Sequence, residues 1–596
     1  LGEQTIAALQ VFRTGHHPSL HGSGRPKESL SLFAMVDRTR SFPGARLLRR
    51  WLAQPTFCVD TILARQRAVK LLLEPAHSTL LAELQRALAK VRNVKGSIGR
   101  LFTRTATVSD WHVVSLSSQS VAAVAESCKA LGTAIEEHPG IQALTCPERQ
   151  ARIRSIHDKL ESAIDFEESK TQGRLLVRDG FNGDVDRVRH TYHGLDDLLT
   201  SIGVEEMRRL RSVGFLPRKL HVIYYPQIGY LIVLDDAVRS DPSCDVSEEN
   251  LVKVGLEYMF VSGKHTYYKS DRMHQLDNEL GDIHGILTDL QAGLLEALTD
   301  ELLPELYHLS RGAELAAELD SLISLAVVAR EQRWCCPTVS DSTELTIVEG
   351  RHPLYEAIEP AFVANNTSAV AGEVHLVTGP NASGKSVYIK QVACIVYLAS
   401  VGSFVPATSA HIGTVGAIWT RVLSQQSVSD TRSSFLMDCS QVAAAIAGSE
   451  NRRSLVVIDE FGKGTDTVDG MSLLGAVVAE FVSRPPDCGS FVLVSTHFHE
   501  IATDGVIGDP LHQLRLFSMR TIVQTGGGNV SGSTPRGLES IVNLYKIEPG
   551  TLASESHAVA CALSCGVERS LVRRFLQVRQ SIADGLAIQA DEDDNA

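Results

Sequence analysis

The chain has 596 residues, of which 44% are hydrophobic and 21% are charged, and its formal net charge at pH 7 is -13. This length predicts several domains, because one domain commonly holds roughly 100–200 residues. The negative charge argues against a protein that simply coats nucleic acid, and no apolar run approaches the roughly 18–20 residues of a membrane span.

The 11 cysteines contain no C-x-x-C pair, so the sequence indicates neither a zinc site nor a secreted disulfide framework. Reduced thiols inside the cell are the simpler interpretation. Because the chain begins at Leu1, without Met or a signal-like segment, we expect it to be a fragment that lacks an N-terminal part.

Helical patterns dominate the first 213 residues. Residues 28–73 and 111–213 read as amphipathic helices with few interruptions. The segment 85–109 carries basic residues and no acidic one, which fits a nucleic-acid face or, equally, a solvated helix surface. These basic residues are Arg86, Lys90, Arg92, Lys95, Arg100 and Arg104.

The period of the pattern changes to two near residue 214. Residues 220–225, 230–234, 256–261 and 265–268 read as strands of a small insert, and the helical pattern returns from 271 to 332. Basic residues of this insert are candidates for contact with a phosphate backbone, although ordinary surface charge explains about half of such residues. They are Lys219, Lys253, Lys264, Lys269 and Arg272.

After Pro337 strands and helices alternate, as in a parallel sheet covered by helices. Here an apolar strand (373–378) and a helix that starts at Ser386 flank a run that fits the phosphate-binding loop. Its glycines let the backbone curl around phosphate oxygens, while Lys385 is expected to reach the β/γ-phosphates of ATP and Ser386 to bind Mg²⁺. The run is Gly379, Pro380, Asn381, Ala382, Ser383, Gly384, Lys385 and Ser386.

A second apolar strand, residues 455–458, ends in two carboxylates. Asp459 is suited to orient Mg²⁺, and Glu460 to polarise the attacking water as the catalytic base. Beyond it lies a third apolar strand, 491–495, which His497 follows. Ser433 lies between the phosphate-binding loop and the strand that ends in Asp459. A helical pattern follows it, and the N-terminus of such a helix can face a phosphate. This order is typical of ATPases that bind nucleotide between two subunits, and it favours a catalytic role for His497.

These motifs resemble the MutS family of DNA-binding ATPases, and the resemblance covers nearly the whole chain. It is carried by residues 378–386 (TGPNASGKS), 458–465 (IDEFGKGT), 495–498 (STHF) and 545–550 (YKIEPG). Further support comes from Arg351-His352-Pro353, Ser31-Leu32-Phe33 and the positions Arg65, Gln66, Ala68 and Val69.

The resemblance implies a multidomain fold: a helical core with lever arms, a β clamp that closes on DNA, an α/β P-loop ATPase domain with an ABC/SMC-like order of motifs, and a C-terminal helix-turn-helix that dimerises. The expected boundaries are 1–213 for the core and first arm, 214–272 for the clamp, 273–336 for the second arm, 337–550 for the ATPase domain and 551–596 for the helix-turn-helix and acidic tail. It also implies that Ser433 reaches the γ-phosphate bound by a partner subunit, and that Phe362 and Tyr545 hold the adenine.

Two departures resemble the fifth, meiotic branch of the eukaryotic family. Residues 463–470 (KGTDTVDG) replace the usual Arg-Gly-Thr-Ser, and Ala382-Ser383 replace Met-Gly or Met-Ser. By resemblance we expect a nuclear protein on meiotic chromosomes that binds double-stranded and branched DNA, such as Holliday junctions, and promotes crossovers. Its partners would be a second MutS-family subunit of the fourth eukaryotic branch and MutL-type proteins. Two alternatives remain open: a mismatch-repair MutS protein, and a nucleotide-gated scaffold with little hydrolysis.

Overall fold

The computed structural model describes residues 2–12, 14–15, 27–28, 30–132, 138–215, 217, 219–235, 248–422, 434–463, 465–485, 489–502, 513–524, 540–550, 559, 562 and 566–583. The chain forms two compact units. The sheet unit comprises Leu1–Ala89, Glu126–Leu144 and Glu314–Ala596, and the arm unit comprises Lys90–Ala125 and Thr145–Ala313.

Helices account for most of the N-terminal half of the described chain. No helix in the described part of the chain is long and apolar enough to cross a membrane. In chain order the α-helices are α1 (Glu3–Ala8), α2 (Leu32–Val36), α3 (Phe42–Ala53), α4 (Val59–Leu73), α5 (Ser78–Leu88), α6 (Val94–Phe102), α7 (Val108–Cys128), α8 (Pro139–Thr145), α9 (Pro147–Ala163), α10 (Phe166–Gln172), α11 (Gly183–His193), α12 (Leu195–Ser212), α13 (Glu248–Val254), α14 (Asp271–Glu279), α15 (Ile283–Leu302), α16 (Leu306–Glu331), α17 (Pro353–Glu356), α18 (Lys385–Val401), α19 (Ser434–Gly448), α20 (Thr467–Val482) and α21 (Arg569–Ala583).

The strands belong to four sheets. In chain order they are β1 (Thr14–Gly15), β2 (Lys27–Glu28), β3 (Leu220–Tyr225), β4 (Gly229–Asp235), β5 (Glu257–Ser262), β6 (His265–Lys269), β7 (Thr338–Ser340), β8 (Glu344–Gly350), β9 (Asn365–Val370), β10 (Val374–Thr378), β11 (Ser409–Gly413), β12 (Ala417–Arg421), β13 (Ser454–Asp459), β14 (Phe491–Ser495), β15 (Leu514–Gln524) and β16 (Ser540–Pro549).

The largest sheet has the strand order β12-β13-β14-β10-β15-β16. Its first five strands are parallel, and β16 pairs antiparallel with β15. Every residue of β10, β13 and β14 is buried, because a parallel sheet is covered on both faces and its strands read as continuous apolar runs. The carboxyl ends of these strands meet at one edge, where Asp459 lies opposite Ser495 in register.

Helices cover this sheet on both faces. One face forms a core cluster with α19 and α20, in which Val456 and Ile458 pack with Val478 and Phe481. Helix α18 contributes nothing to that cluster and packs instead on β13 and β14 and against β8 of the sheet β7-β11-β8-β9. A helix with sheets on two sides is apolar all round, and 13 of the 17 residues of α18 are buried.

The N-terminal helices hold the far end of α18. The Arg65 guanidinium donates to the Val401 carbonyl at 2.7 Å and lies 3.8 Å above the Trp51 ring. The Thr56 amide donates to the Ser400 carbonyl at 3.1 Å. The C-terminal turn of α18 is therefore fixed to the helical part of the same unit.

In the arm unit, long helices carry a four-stranded antiparallel sheet. Its order is β3-β4-β6-β5, and one face packs on α12 and α14 in a cluster that includes Leu199, Tyr230, Ile232 and Met273. The central strand β4 is buried on its other face as well, at Leu231 and Val233, which explains why its sequence reads as a continuous apolar run.

Several expectations can be compared with these elements. The strands predicted at 220–225 and 491–495 have the observed bounds, and the others agree within one or two residues. Lys269 is a correction: it is buried and its ammonium pairs with Asp277, so it is not available to a phosphate backbone. Lys219, Lys253 and Lys264 are exposed.

At the C-terminus the structure describes one helix, α21, of the two predicted helices, and most of residues 552–565 lie outside the described part of the chain. The bounds of the five domains and the helix-turn-helix remain predictions.

Candidate active site

The loop between β10 and α18 has the backbone that its sequence requires. Gly379 and Gly384 have φ angles of +141° and +99°, values that favour glycine. A Cβ on Gly384 would lie 3.3 Å from the Tyr545 ring, and one on Gly379 would lie 3.1 Å from Met519. The glycines thus allow the curl of the loop and its close packing on β15 and β16.

Lys385, the first residue of α18, points into this curl. Its ammonium donates to the carbonyls of Gly379 at 2.8 Å and of Pro380 at 3.0 Å, and its side chain is buried. The positive charge is therefore fixed inside the loop at the N-terminus of a long helix, the combination that binds phosphate.

Three elements converge on Asp459 at the end of β13. The Ser386 hydroxyl of α18 donates to Asp459 Oδ1 at 2.9 Å, and the hydroxyl of Ser495, the last residue of β14, donates to the same oxygen. A hydroxyl and a carboxylate are oxygen ligands of the type that Mg²⁺ takes. The structure thus brings together the two residues predicted to hold the metal.

Glu460 lies one residue beyond β13, with a φ of +49°. Its amide donates to the Ser495 carbonyl at 3.0 Å, and its carboxylate Oε2 accepts from Lys463 Nζ at 3.0 Å. Burial raises the pKa of the Glu460 carboxyl, but the hydrogen bond from Lys463 and the charges of Lys463, Lys385 and His497 outweigh this, so its pKa is lowered. The carboxyl is ionised at neutral pH.

His497 stands two residues after the end of β14, in a turn rather than in the strand. The turn is closed by the Phe498 amide, which donates to the Thr496 hydroxyl at 3.0 Å. The imidazole is half-buried and lies 4.2 Å from the Phe498 ring, centroid to centroid. Its charge contributes to the pKa of Glu460, which links these two predicted catalytic residues.

The segments that contain Phe362 and Tyr545 meet through Asn365. The Asn365 amide donates to the Tyr545 carbonyl at 2.9 Å, and its Oδ1 accepts from the Ile547 amide at 2.9 Å. Tyr545 is 48% exposed beside Gly384, and Phe362 is half-buried three residues before Asn365. Ser433 lies outside the described residues.

Sequence reasoning missed two residues of this region. Asn365 was not singled out, although a polar residue beginning a strand of alternating burial is a usable signal. Arg421 was also missed: it is almost completely buried, donates to the Asp459 carbonyl and pairs with Asp438 of α19. An arginine that ends an apolar strand, as in AIWTR, is the signal for it.

The residues present fit a nucleotide triphosphate with Mg²⁺. The Ser383 hydroxyl, inside the loop, is buried and has no partner among the described residues, so a donor remains for an anionic ligand. No cluster of three His, Cys, Asp or Glu side chains forms a metal site within the described chain. A cation held by Ser386 and Asp459 would take its other ligands from phosphate and water.

Comparison with known proteins agrees with the motifs. Residues 4–326 match MutS domain III and residues 375–583 match MutS domain V. The MutS protein homolog 5 of Saccharomyces cerevisiae is 28% identical over 98% of the chain, and that of Caenorhabditis elegans is also 28% identical over 98%. The DNA mismatch repair protein MutS of Chloroflexus aurantiacus is 29% identical over 96%.

The chain spans 67%, 40% and 58% of the lengths of these three relatives, in that order. Its architecture is multidomain and helical with mixed sheets. Since the domain III match alone covers more than half of the 596 residues, and the domain V match contains the loop and carboxylates described above, the chain belongs to the MutS family.

Proposed function

We propose that this chain is an ATP-dependent DNA-binding clamp of the MutS family that acts in meiotic recombination. The observation that supports an ATPase best is the contact of Ser386 with Asp459 at 2.9 Å, between the buried Lys385 and the ionised Glu460. MutS-family proteins are ATPases that use Mg²⁺.

Each side chain then has a defined task. The loop amides and Lys385 bind and orient the phosphates, and Ser386 and Asp459 hold the cation. Bound Mg²⁺ would neutralise charge that develops on the phosphate oxygens. Glu460 accepts the proton of the attacking water, and His497 acts beside it on the γ-phosphate side. Phe362 and Tyr545 contact the adenine, and Ser433 serves the nucleotide of the other subunit.

The proposed domain roles follow the family resemblance. Residues 1–213 and 273–336 form the core and lever arms, residues 214–272 form the clamp, and residues 337–550 form a P-loop ATPase domain with ABC/SMC-like motif order. Residues 551–596 form a dimerising helix-turn-helix and tail. In support, Leu571 and Phe575 of α21, four residues apart on one helix face, are 63% and 43% exposed, as an interface helix requires.

The meiotic role rests on the first relatives, both named MutS protein homolog 5, and on the sequence of residues 463–470. We propose a heterodimer with a MutS-family subunit of the fourth eukaryotic branch, located in the nucleus on meiotic chromosomes. Its ligands would be double-stranded and branched DNA, with MutL-type proteins as further partners.

A second candidate, mismatch repair, is favoured by relatives named DNA mismatch repair protein MutS, which are 29–31% identical to the chain. A DNA-binding experiment separates the two. A four-way junction and a mismatched duplex of equal length are titrated with the chain alone and with the presumed partner, with and without ATP and Mg²⁺. Preference for the junction supports the meiotic clamp, whereas preference for the mismatch supports repair.

The same experiment tests the alternative of a nucleotide-gated scaffold with little hydrolysis. ATP turnover is measured in each mixture, together with nucleotide binding. Binding of nucleotide without turnover in the heterodimer on DNA would favour the scaffold. Absence of nucleotide binding would contradict the ATPase proposal itself.

A further inference from the structure

The two neighbouring carboxylates of the site have different kinds of partner. Asp459 accepts from the hydroxyls of Ser386 and Ser495, which are neutral donors fixed on a helix and a strand. Glu460 accepts instead from the ammonium of Lys463 at 3.0 Å. A hydroxyl orients a carboxylate and leaves its charge available, whereas an ammonium group neutralises that charge.

A tight backbone turn returns Lys463 to Glu460. Glu460 and Gly462 have φ angles of +49° and +89°. A Cβ on Gly462 would lie 2.5 Å from the Gly470 carbonyl oxygen, and one on Gly470 would lie 2.3 Å from the Gly462 oxygen. The turn is thus pressed against the first part of α20, and only glycine fits at both contact points. Its path is fixed by packing, so the three-residue spacing places the lysine on the carboxylate.

The two ends of the pair differ in their exposure to solvent. The Glu460 side chain is 13% exposed and the Lys463 side chain is 54% exposed. Solvent screens the charge at the exposed end, and the long lysine side chain loses rotamer freedom while it is held in the pair. Lys463 is therefore the end that can leave the pair and enter water.

We propose that Lys463 is a positioning residue that restrains Glu460 and slows hydrolysis for as long as the pair is formed. The inference rests on the proposed ATPase function. An attacking water is activated when a carboxylate accepts its proton. The Lys463 ammonium occupies Oε2 and offsets the negative charge that this step needs. Release of Lys463 frees the base without any change at Lys385, Ser386 or Asp459, so it changes turnover and leaves nucleotide affinity unaltered.

The test compares Lys463→Met, which keeps the length of the side chain and removes its charge, with Lys463→Arg, which keeps the charge. Binding of a fluorescent ATP analogue and single-turnover hydrolysis of Mg-ATP are measured on the full chain, alone and with the presumed partner. We expect Lys463→Met to hydrolyse bound ATP about threefold faster than the parent, the factor that release from a solvent-screened ion pair allows. Its affinity for the analogue should be unchanged, and Lys463→Arg should retain the parent rate.

A matched control is Lys129→Met. Lys129 forms an ion pair with Glu126 at the same spacing of three residues and at 2.8 Å, and its side chain is 53% exposed. This variant should hydrolyse ATP at the parent rate, since its pair lies outside the residues assigned to the site. A similar acceleration in both lysine variants would overturn the proposal.

The pair itself is tested without nucleotide. Urea unfolding midpoints of Lys463→Met, Glu460→Gln and the double variant form a thermodynamic cycle. We expect the midpoint shifts of the two single variants not to sum to the shift of the double variant. Additive shifts would overturn the pair. Hydrolysis by Lys463→Met at or below the parent rate would overturn the restraint. A parent that fails to bind the analogue would instead overturn the proposed function.

Discussion

Two long helices show how differently the two units of the molecule are stabilised. Helix α18 of the sheet unit buries 13 of its 17 residues, between two sheets. Helix α15 of the arm unit is longer, with 20 residues, and buries six of them. Its exposed side carries carboxylates that pair with basic residues of α9 and Arg104, as in Lys159–Glu301 and Arg104–Asp300.

The difference indicates which of the two helices is held more firmly. A helix packed on all sides keeps Lys385 and Ser386 in place, and catalytic groups require such precision. A helix held by one apolar stripe and surface ion pairs opens locally at low cost, as moving parts must. By this comparison α18 is held more firmly than α15, and α15 is the helix expected to open more readily.

The largest expected effect sharpens the comparison at the site. Glu460→Ala should retain ATP binding and reduce single-turnover hydrolysis by about 10²–10⁴-fold, because it removes the group that accepts the proton of water. Lys385→Ala should instead weaken nucleotide binding, because it removes the positive charge that binds the phosphates. Lys159→Met in the arm unit serves as the control and should hydrolyse at the parent rate. Parent-rate hydrolysis by Glu460→Ala would show that the base is another residue.

The next effect concerns stability within the sheet unit. Arg421→Met leaves Asp438 buried without its partner and removes the donor to the Asp459 carbonyl. Loss of one member of a buried pair costs about 3–5 kcal/mol, and hydrogen exchange should locate the loss of protection in β12, β13 and α19.

The double variant Arg421→Met, Asp438→Leu provides the control for Arg421→Met. Replacement of a buried pair by apolar residues is often neutral, so the double variant should recover most of the stability. Equal destabilisation in both variants would mean that the ion pair is not what Arg421 contributes.

A smaller effect depends on pH. Burial, and then the charge of Lys390, lower the pKa of His352 to about 3; its Nδ1 accepts from the Leu354 amide at 3.2 Å as the N-cap of α17. In the unfolded chain a histidine has a pKa of about 6.5. Below pH 6.5 the unfolded state therefore binds one proton more, and the free energy of unfolding falls by up to about 1.4 kcal/mol per pH unit toward pH 3.

His352→Asn keeps an N-cap acceptor and cannot titrate. In urea unfolding between pH 7 and pH 5 it should lose stability less steeply than the parent. If the free energy of unfolding had the same dependence on pH in the parent and in His352→Asn, the buried neutral imidazole would be refuted.

How far the sequence predicted these features depends on how far apart in the chain the interacting residues lie. The strands at 220–225 and 491–495 were predicted because an apolar or alternating run carries its own period. The Lys463–Glu460 pair, the Arg421–Asp438 link and the burial of Lys269 were not, because each depends on where a turn or a neighbouring strand places a charge. The phosphate-binding loop and the carboxylates of Asp459 and Glu460 are an intermediate case. The order of their motifs predicted the residues, but not the contacts that they make.

The smallest expected effect tests the arm unit directly. On α15, Glu301 pairs with Lys159 at 2.5 Å, and just beyond the helix Glu305 pairs with Arg152 at 2.6 Å; both basic residues lie on α9. Three of these side chains are at least one-third exposed, and Glu305 is 16% exposed. Solvent screening limits such a pair to about 0.2–1 kcal/mol, so Lys159→Met should shift the urea midpoint little.

The apolar stripe of the same helix supplies the matched comparison. Leu298 of α15 is buried, and Leu298→Ala should cost about 2–5 kcal/mol through lost transfer energy and the cavity left behind. High salt should further reduce the loss of stability caused by Lys159→Met, because ions screen exposed charges. It should not change the loss of stability caused by Leu298→Ala. If Lys159→Met proved as costly as Leu298→Ala, the arms would be held by their ion pairs, and their capacity to open could be controlled by ionic strength.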